Sequence, residues 1–360
     1  MVIIMKIGLN FYPDFKDLPL TTLKEAILNS NNLKFAKQIG VTHIIAWMPL
    51  PPGEGYWNYE DLFNLRKFIE SHGLVLEAIE NLPPFHWDKI LYGMEGRDEQ
   101  IVKISKTIRN MGKAKINYLG YCFSIAGYWG HWRKGDDGGG RGDAGMISFD
   151  YNLVKNSETL PLPVGQLWGN WETSYYNKSK PLGKISRDEM WERLVYFLER
   201  VIPVAEESGV KMCIHPDDPP APSLRGLERI MNNVDDFKKI IELFPSSCHG
   251  LEFCQGTFSE MAGVGKNVID HIYYFGKRKK IFYVHFRNVK GTFPKYDEVF
   301  IDEGDVSMID ALKAYRDVDF DGVIIPDHVP VVNTVSEPWH LGMAYSVGYI
   351  KAAMQALKII

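Results

Sequence analysis

Eight strand-like segments alternate with eight helix-like segments along this chain of 360 residues, and this alternation constrains the fold more than any other feature. The strand-like segments are short and rich in β-branched and aromatic residues, and they lie at 5–11, 41–48, 74–80, 116–123, 210–215, 249–254, 281–286 and 321–326. The helix-like segments lie at 20–39, 59–72, 97–112, 187–208, 233–243, 266–276, 307–316 and 340–357. Strands separated by helices pair in parallel through right-handed crossovers. We therefore predict an α/β fold whose simplest closed form is the (β/α)8 TIM barrel.

Other arrangements are less consistent with this pattern. A chain of 360 residues suggests two domains, although a single α/β barrel also reaches this length. A doubly wound open sheet is less favoured, because no G-x-G-x-x-G motif follows the first strand. Since the eight units occupy nearly the whole chain, we predict one TIM-barrel domain over residues 1–360.

Glycines and polar residues mark the ends of several predicted helices. A left-handed C-cap is expected at the glycines that close helical patterns, namely Gly40, Gly73, Gly112 and Gly209. Ser186 and Asn233 each precede a helical pattern and are predicted N-caps.

One long insertion follows the fourth predicted strand, at residues 124–185. It contains a glycine-rich stretch and four of the nine tryptophans, which are Trp129, Trp132, Trp168 and Trp171. A glycine-rich tip between aromatic clusters is typical of a mobile lid. A segment that contacts a neighbouring subunit fits equally well, and a surface insertion without function is the third interpretation.

Charge and cysteine content exclude several classes of protein. The 41 basic residues against 45 acidic residues leave a net charge of −4, which does not favour nucleic acid or an anionic membrane as a partner. The four cysteines include no C-x-x-C pair, which excludes a disulfide scaffold and a zinc ribbon. Neither a signal-peptide core nor an apolar run of eighteen residues is present, so we expect a cytoplasmic location.

The ends of the last four predicted strands offer metal-ligand side chains. They are His215, Cys254, His285 and Asp327, in chain order. In a TIM barrel the carboxyl ends of the strands form the active-site face, and neighbouring strands lie about 5 Å apart. Two imidazoles, a thiolate and a carboxylate suit a divalent transition ion such as Mn²⁺, Fe²⁺, Co²⁺ or Zn²⁺. Taken singly, each residue could instead be a structural histidine, a buried apolar cysteine or a turn-capping aspartate.

Further polar residues lie close to these strand ends. Arg287 could hold a substrate carboxylate bidentately, or form a salt bridge at the barrel rim. His328 directly follows a predicted ligand and could act as a general acid or base. Asp217 or Asp218 could orient a ligand imidazole, although a rigid proline-rich loop is nearly as well supported.

Two residues near the third strand face the same predicted opening. Glu80 ends that strand, and His86 follows it in the segment Pro-Pro-Phe-His-Trp. We predict that both contact substrate hydroxyls.

Four short motifs at these positions resemble the mannonate dehydratase family. They are His-Pro-Asp-Asp-Pro-Pro at 215–220, Phe-Cys-Gln-Gly-Thr at 253–257, His-Phe-Arg-Asn-Val at 285–289 and Pro-Asp-His at 326–328. Looser similarity is found at 51–57 and 80–86. The resemblance is close over 195–330, looser over 1–120 and poor over 124–185.

The resemblance implies a xylose-isomerase-like barrel that dehydrates D-mannonate to 2-keto-3-deoxy-D-gluconate by β-elimination, a step of hexuronate catabolism. It implies a divalent metal, usually Mn²⁺ with Fe²⁺ or Co²⁺ also suited, no organic cofactor, and a homo-oligomer. The metal ligands carry over to His215, Cys254, His285 and Asp327. The catalytic histidine carries over to His328 and the substrate-binding arginine to Arg287.

One departure affects proton transfer. The family commonly places a catalytic tyrosine in a Pro-Gly-Tyr segment beyond the eighth strand, where this chain has Pro338-Trp339-His340. We therefore predict that His340 takes this catalytic role, unless the role is lost.

Two other functions remain open at this point. A sugar isomerase or epimerase could use the same metal barrel, although such enzymes often have more acidic metal sites. A catalytically inactive, metal-binding relative would keep the ligands and lack proton-transfer residues.

Overall fold

The computed structural model describes residues 5–11, 31–47, 55–134, 139–156, 166–167 and 183–360. Within these residues eight parallel strands close into a barrel, in which each strand pairs with the next along the chain and the last pairs with the first. The strands are β1 (Lys6–Phe11), β2 (His43–Ala46), β3 (Val75–Glu80), β4 (Tyr118–Tyr121), β5 (Lys211–Ile214), β6 (His249–Cys254), β7 (Ile281–His285) and β8 (Val323–Ile325). The predicted (β/α)8 TIM barrel is confirmed, and each predicted strand contributes to it.

Each of the eight helix-like segments contains a helix. The described helices are α1 (Asn31–Gln38), α2 (Tyr59–Ser71), α3 (Pro84–Tyr92), α4 (Arg97–Lys113), α5 (Tyr151–Val154), α6 (Arg187–Ser208), α7 (Val234–Leu243), α8 (Gln255–Glu260), α9 (Val268–Lys277), α10 (Met308–Asp317) and α11 (Pro338–Ala356). Residues 20–30 of the first predicted helix lie outside the described part of the chain. The sequence did not predict the short helices α3, α5 and α8, which are too brief to show helical periodicity.

The apolar side chains form two buried clusters. The larger cluster lies between the barrel strands and the surrounding helices. The smaller one collects side chains from alternate strand positions and fills the barrel interior, and its members are Ile45, Ala78, Cys213, Phe282, Tyr283, Val323 and Ile325. Each fully buried aliphatic or aromatic side chain stabilises the fold by about 1.5–3 kcal/mol, so the barrel holds the strand ends rigidly.

Most of the predicted helix ends are confirmed. Ser186 forms a capping box with Glu189 at the start of α6, and the helix ends at Gly209 with φ of 65°. The predicted C-cap at Gly112 is wrong, because α4 continues to Lys113. A Cβ atom at Gly112 would collide with the carbonyl oxygen of Ser208, so this glycine allows α4 and α6 to approach closely.

A second sheet, called here the five-stranded sheet, combines the insertion with a hairpin that follows β7. Its antiparallel strands, in spatial order, are Asn288–Thr292, Lys295–Val299, Met146–Asp150, Trp132–Lys134 and Gln166–Leu167. The sequence did not predict this sheet, because the buried positions of strand Lys295–Val299 include Glu298, which breaks the apolar alternation of a strand. A further two-stranded sheet pairs Ser223–Leu224 with Leu227–Glu228.

The insertion is connected to the rest of the structure at several points. Gly145 forms an isolated bridge with Val331, in the segment that follows β8. Phe149 stacks on Tyr296 of the hairpin, with their ring centroids 5.5 Å apart. Trp168 and Trp171 lie outside the described residues. No helix in the described part of the chain is long and apolar enough to span a membrane.

Candidate metal centre and active site

The carboxyl ends of β5 to β8 bring the predicted metal ligands to one region. Cys254 is the Cα partner of His285 in the pairing of β6 with β7, and His285 is in turn the partner of Ile325 on β8. His215 directly follows β5. The ligand atoms of His215, Cys254 and His285 all lie within 4.8 Å of one another, and all three residues are buried. Three of the four predicted ligands are therefore close enough to hold one ion.

The imidazole of His215 is oriented by the backbone beside it. Its Nδ1 lies 2.6 Å from the carbonyl oxygen of Pro216, so Nδ1–H donates and Nε2 is left for a metal. The interpretation that Asp217 or Asp218 orients this ring is wrong. Asp217 pairs instead with Arg229 at 3.1 Å, and Asp218 belongs to a separate group of ion pairs.

Cys254 ends β6 and caps the N-terminus of α8. Its Sγ lies 3.5 Å from the backbone nitrogen and 3.1 Å from the hydroxyl oxygen of Thr257. Burial raises the pKa of this thiol, but the Arg287 guanidinium and hydrogen bonds with His215 and His285 lower the pKa to about 6. The thiol is therefore ionised at neutral pH, which is the form that binds a metal.

Three carboxylates surround the imidazole of His285. Its Nε2 lies 3.0 Å from an oxygen of Glu80 and 3.0 Å from an oxygen of Glu252, and its Nδ1 lies 3.2 Å from Asp327 Oδ2. Burial lowers the pKa of His285, but Asp327, Glu80 and Glu252 together raise this pKa above its ordinary value. Because both glutamates contact Nε2, the nitrogen left for a metal is Nδ1.

Glu80 lies beneath this cluster. Its other oxygen accepts a hydrogen bond of 2.9 Å from Trp47 Nε1, and the residue is 2% exposed. Burial and repulsion from Glu252 raise the pKa of Glu80 to about 7. The structure thus places Glu80 against a predicted metal ligand, and its predicted contact with substrate stays a prediction.

Asp327 differs from the other three predicted ligands. Its Oδ2 contacts both His285 Nδ1 and Arg287 Nε, each at 3.2 Å. Its backbone has a φ of 63°, in the left-handed region that aspartate tolerates better than most residues. Asp327 therefore lies beside the three-residue cluster, and its role as the fourth ligand stays a prediction.

The guanidinium of Arg287 is buried among acidic side chains. Besides Asp327, it pairs with Asp218 at 2.7 Å, with Glu298 at 3.4 Å and with Glu260 in a short ion pair. Thr257 Oγ1 accepts a further hydrogen bond of 2.9 Å from Nη2 of Arg287.

These contacts occupy all three nitrogens of Arg287. A substrate-binding role therefore stays a prediction, and it would require a bound carboxylate to replace one of the present acceptors.

Burial raises the pKa of Asp218, but Arg287 and nearby histidines lower that pKa to about 2. Burial and repulsion from neighbouring acids raise the pKa of Glu260 well above its ordinary value. Arg287 opposes this rise, because its positive charge favours the ionised carboxylate of Glu260.

His328 is the most exposed member of the group around Asp327. Its side chain is 10% exposed, compared with 5% for Asp327 and 2% for Arg287. Its Nδ1 lies 3.0 Å from Glu298 Oε2, and its Nε2 lies 3.7 Å from Asp327 Oδ1. Burial lowers the pKa of His328, but Asp327 and Glu298 raise it above its ordinary value. A partly exposed imidazole between two carboxylates is suited to transfer protons.

The contacts of His340 and His86 lie elsewhere in the fold. His340 Nε2 lies 3.1 Å from Asn32 Oδ1, and its ring packs edge-on against Phe35, so it is placed between α1 and α11. His86 packs against Trp57 with ring centroids 5.0 Å apart, and burial lowers its pKa to about 3. None of these contacts involves His215, Cys254 or His285. The catalytic role of His340 and the substrate contact of His86 therefore stay predictions.

The donor set fits a divalent metal ion. His215 Nε2 and His285 Nδ1 are imidazole nitrogens whose partner nitrogens already face acceptors, and Cys254 supplies a thiolate. Nitrogen and sulfur donors of this kind bind borderline transition ions rather than Ca²⁺ or Mg²⁺. The residues present therefore suit a bound divalent metal.

Comparison with known proteins identifies the family. The sequence profile of the family described as D-mannonate dehydratase (UxuA) matches residues 26–359. The chain belongs to the D-mannonate dehydratase family. Mannonate dehydratase 2 of Halalkalibacterium halodurans is 33% identical over 308 residues, which cover 82% of this chain and 86% of that protein. The family resemblance seen in the sequence is thereby confirmed.

Solved structures agree with membership of the D-mannonate dehydratase family. Mannonate dehydratase from Streptococcus suis serotype 2 superposes with a TM-score of 0.73 at 27% identity, covering 98% of this chain and 95% of that chain. D-psicose 3-epimerase from Clostridium cellulolyticum H10 superposes with a TM-score of 0.55 at 13% identity, covering 98% of each chain. The second similarity shows a shared fold alone.

Three acidic residues of this site were not predicted from the sequence. Glu252 lies inside β6, where the sequence reads as an ordinary buried strand. Glu260 ends α8, and Glu298 lies in the unpredicted hairpin. The one available signal was a charged residue at a strand position that is expected to be buried. Burying a carboxylate without a partner is costly, so such a residue indicates a polar site.

Proposed function

We propose that the protein is a hydro-lyase that converts D-mannonate into 2-keto-3-deoxy-D-gluconate and water. The observation that supports this most strongly is the cluster of His215, Cys254 and His285 in a chain of the D-mannonate dehydratase family, with Asp327 between His285 and His328. In this β-elimination a base accepts the C2 proton, the electrons of the C2–H bond form a C2–C3 double bond, and the C3–O bond breaks. The hydroxyl leaves as water after protonation, and the enol product tautomerises to the 2-keto acid.

His215, Cys254 and His285 would hold the metal, with Asp327 as a proposed fourth ligand. A divalent ion bound there supplies electrophilic stabilisation of negative charge on the sugar acid. We propose Mn²⁺ as this ion, with Fe²⁺ and Co²⁺ as alternatives for the same donors. Metal analysis of the purified protein, followed by reconstitution of the stripped protein with each ion, tests this choice.

His328 is proposed to transfer the proton through Nε2. Its Nδ1 lies 3.0 Å from Glu298 and its Nε2 lies 3.7 Å from Asp327 Oδ1, so Nε2 has the longer contact and is the nitrogen proposed to meet substrate. Asp327 and Glu298 raise the pKa of His328, although burial opposes them, and this stabilises the protonated form of the imidazole. Such a group is suited to donate a proton to the departing C3 hydroxyl.

Turnover of D-mannonate in the presence of Mn²⁺ tests the proposal. Formation of a 2-keto-3-deoxy acid, followed by NMR, is the expected result. Formation of a ketose or an epimer would support the isomerase or epimerase instead. Metal binding without turnover of any aldonic acid would support an inactive relative. The His328→Asn variant is expected to lose turnover and to keep its metal.

His340→Asn provides the second arm of this experiment. The structure places His340 against Asn32 and Phe35, so we expect His340→Asn to keep most of its turnover. Complete loss of turnover with bound metal retained would support the catalytic role predicted for His340 from its position in the sequence.

We also propose that the protein is a cytoplasmic homo-oligomer in which residues 124–185 form a lid or a subunit contact. Cell fractionation tests the cytoplasmic location, and light scattering of the purified chain tests the oligomeric state. Crosslinking between Lys155 and a neighbouring subunit would favour the subunit contact, since Lys155 is an exposed lysine of the insertion.

A further inference from the structure

The hairpin that follows β7 brings a carboxylate to the imidazole of His328. Glu298 lies on its second strand, and the side chain is 4% exposed. Its two oxygens lie 3.0 and 3.2 Å from His328 Nδ1. We infer that Glu298 is the positioning residue of His328, which accepts the Nδ1 proton and directs Nε2 toward the substrate. This inference rests on the proposed function, in which His328 transfers a proton.

The five-stranded sheet fixes the backbone of Glu298 from both sides. Glu298 is the Cα partner of Val289 within the hairpin and of Ile147 in the strand from the insertion. A residue in a strand that is paired along both edges has little freedom to move, because successive residues of the strand bond to one neighbour and then to the other. The insertion therefore supports the position of Glu298 although it lies far away in sequence.

The same strand is anchored a second time, two residues earlier. Tyr296 shares a face with Glu298, and its hydroxyl lies 2.7 Å from His131 Nε2. His131 belongs to the insertion and is itself 3.4 Å from Asp218 Oδ1. Side chains and backbone thus hold the hairpin and the insertion together at the point where Glu298 meets His328.

Two carboxylates face the ring of His328. Glu298 is the nearer, at 3.0 Å from Nδ1, whereas Asp327 Oδ1 lies 3.7 Å from Nε2. His328 follows β8 in an irregular segment, and its ring lies edge-on to Tyr128 at 5.9 Å. An aromatic edge does not select which ring nitrogen carries the proton. A carboxylate at Nδ1 does select it, as in other sites where a third group orients a catalytic histidine.

An alternative role for Glu298 is purely structural, as a partner of Arg287. Their closest atoms are 3.4 Å apart, whereas Arg287 makes shorter contacts with Asp218 and Glu260. The contact with His328 is also shorter, at 3.0 Å. These distances favour the histidine as the principal partner of Glu298.

Steady-state kinetics of three Mn²⁺-loaded variants test the inference. Glu298→Gln keeps the shape and removes the charge, so kcat should fall on the order of 100-fold while KM and metal content stay unchanged. Glu298→Asp keeps the charge on a shorter side chain and should restore part of kcat. Glu303→Gln removes an exposed glutamate from the turn after the hairpin and is the matched control, with wild-type kcat expected. Wild-type kcat in both Glu298 variants would overturn the inference, as would a rise in KM alone.

A spectroscopic measurement separates this inference from the proposed function. In Zn²⁺-loaded protein labelled with ¹⁵N-histidine, the signals of His328 are assigned by their loss in His328→Asn. At a pH high enough for His328 to be neutral, the inference expects the remaining proton on Nδ1 in the wild type and its redistribution toward Nε2 in Glu298→Gln. This result would support the positioning role even if D-mannonate were not turned over. An unchanged tautomer in Glu298→Gln would overturn it, and Glu298→Ala, which also removes the carboxylate, serves in the same way if Glu298→Gln does not fold.

Discussion

Cys254 and His285 are direct Cα partners in the parallel pairing of β6 with β7, at the last position of both strands. This register brings a thiolate and an imidazole together without help from any loop. It follows that the metal site is built into the barrel and should depend strongly on the sulfur atom.

We therefore predict that Cys254→Ser weakens binding of the divalent metal by at least about 100-fold, more than the loss typical of outer contacts. The fold should remain, because serine is nearly isosteric with cysteine. Metal titration with a competing chelator measures the affinity. Cys248→Ser is the matched control, since Cys248 is a free thiol outside the cluster. Equal affinity in the Cys254 and Cys248 variants would exclude Cys254 as a ligand.

A second prediction concerns Glu80, which was expected from the sequence to contact substrate. Its carboxylate lies 3.0 Å from His285 Nε2, so we expect Glu80→Gln to weaken metal binding by about 10–100-fold. At saturating metal, KM for the sugar acid should be unchanged. Metal titration and kinetics on the same preparation distinguish an effect of Glu80 on metal binding from a contact between Glu80 and the substrate.

Glu77→Gln is the control for that experiment. Glu77 lies on the same strand, three residues earlier, and its carboxylate contacts Lys6 at 3.4 Å rather than the cluster. Both measured quantities should remain at wild-type values in this variant. A raised KM in Glu80→Gln with unchanged metal affinity would support the predicted substrate-binding role of Glu80.

The sequence was sufficient to predict the barrel and the convergence of three predicted ligands, because both depend on local sequence patterns. His215, Cys254 and His285 each lie at the end of a strand whose type and direction are encoded by its own residues. Their meeting then follows from the closed parallel arrangement, which requires no knowledge of loop structure.

The environment of Arg287 could not be predicted in the same way. Asp218, Glu260 and Glu298 reach it from a loop, a short helix and a hairpin, none of which has a strong periodic signal. Their pairing depends on tertiary packing of segments that are distant in sequence. The role of His340 was carried over from a motif position and stays a prediction, while its side chain packs between two outer helices.

The ionisation of Cys254 gives a prediction about pH. Its pKa is lowered from 9.0 to about 6, because Arg287 and the two histidines outweigh the effect of burial. In metal-free protein the thiolate should therefore persist at neutral pH and be lost as the pH falls below about 6. The difference in ultraviolet thiolate absorbance between wild type and Cys254→Ser measures this transition. A midpoint above pH 8, as in an ordinary exposed cysteine, would contradict it.

Gly256 provides the last prediction, because it allows α8 to approach Arg287. A Cβ atom at this position would lie 2.6 Å from both Nε and Cζ of Arg287, and the guanidinium is held by several carboxylates and cannot easily move. We expect Gly256→Ala to destabilise the protein by about 1–3 kcal/mol and to lower its melting temperature.

Gly348→Ala is the matched control, since Gly348 is exposed in α11 with open space around its Cβ position. Alanine should stabilise that helix by up to about 1 kcal/mol. Differential scanning calorimetry should thus show shifts of opposite sign, and a rise in both variants would mean that Arg287 is not rigidly held.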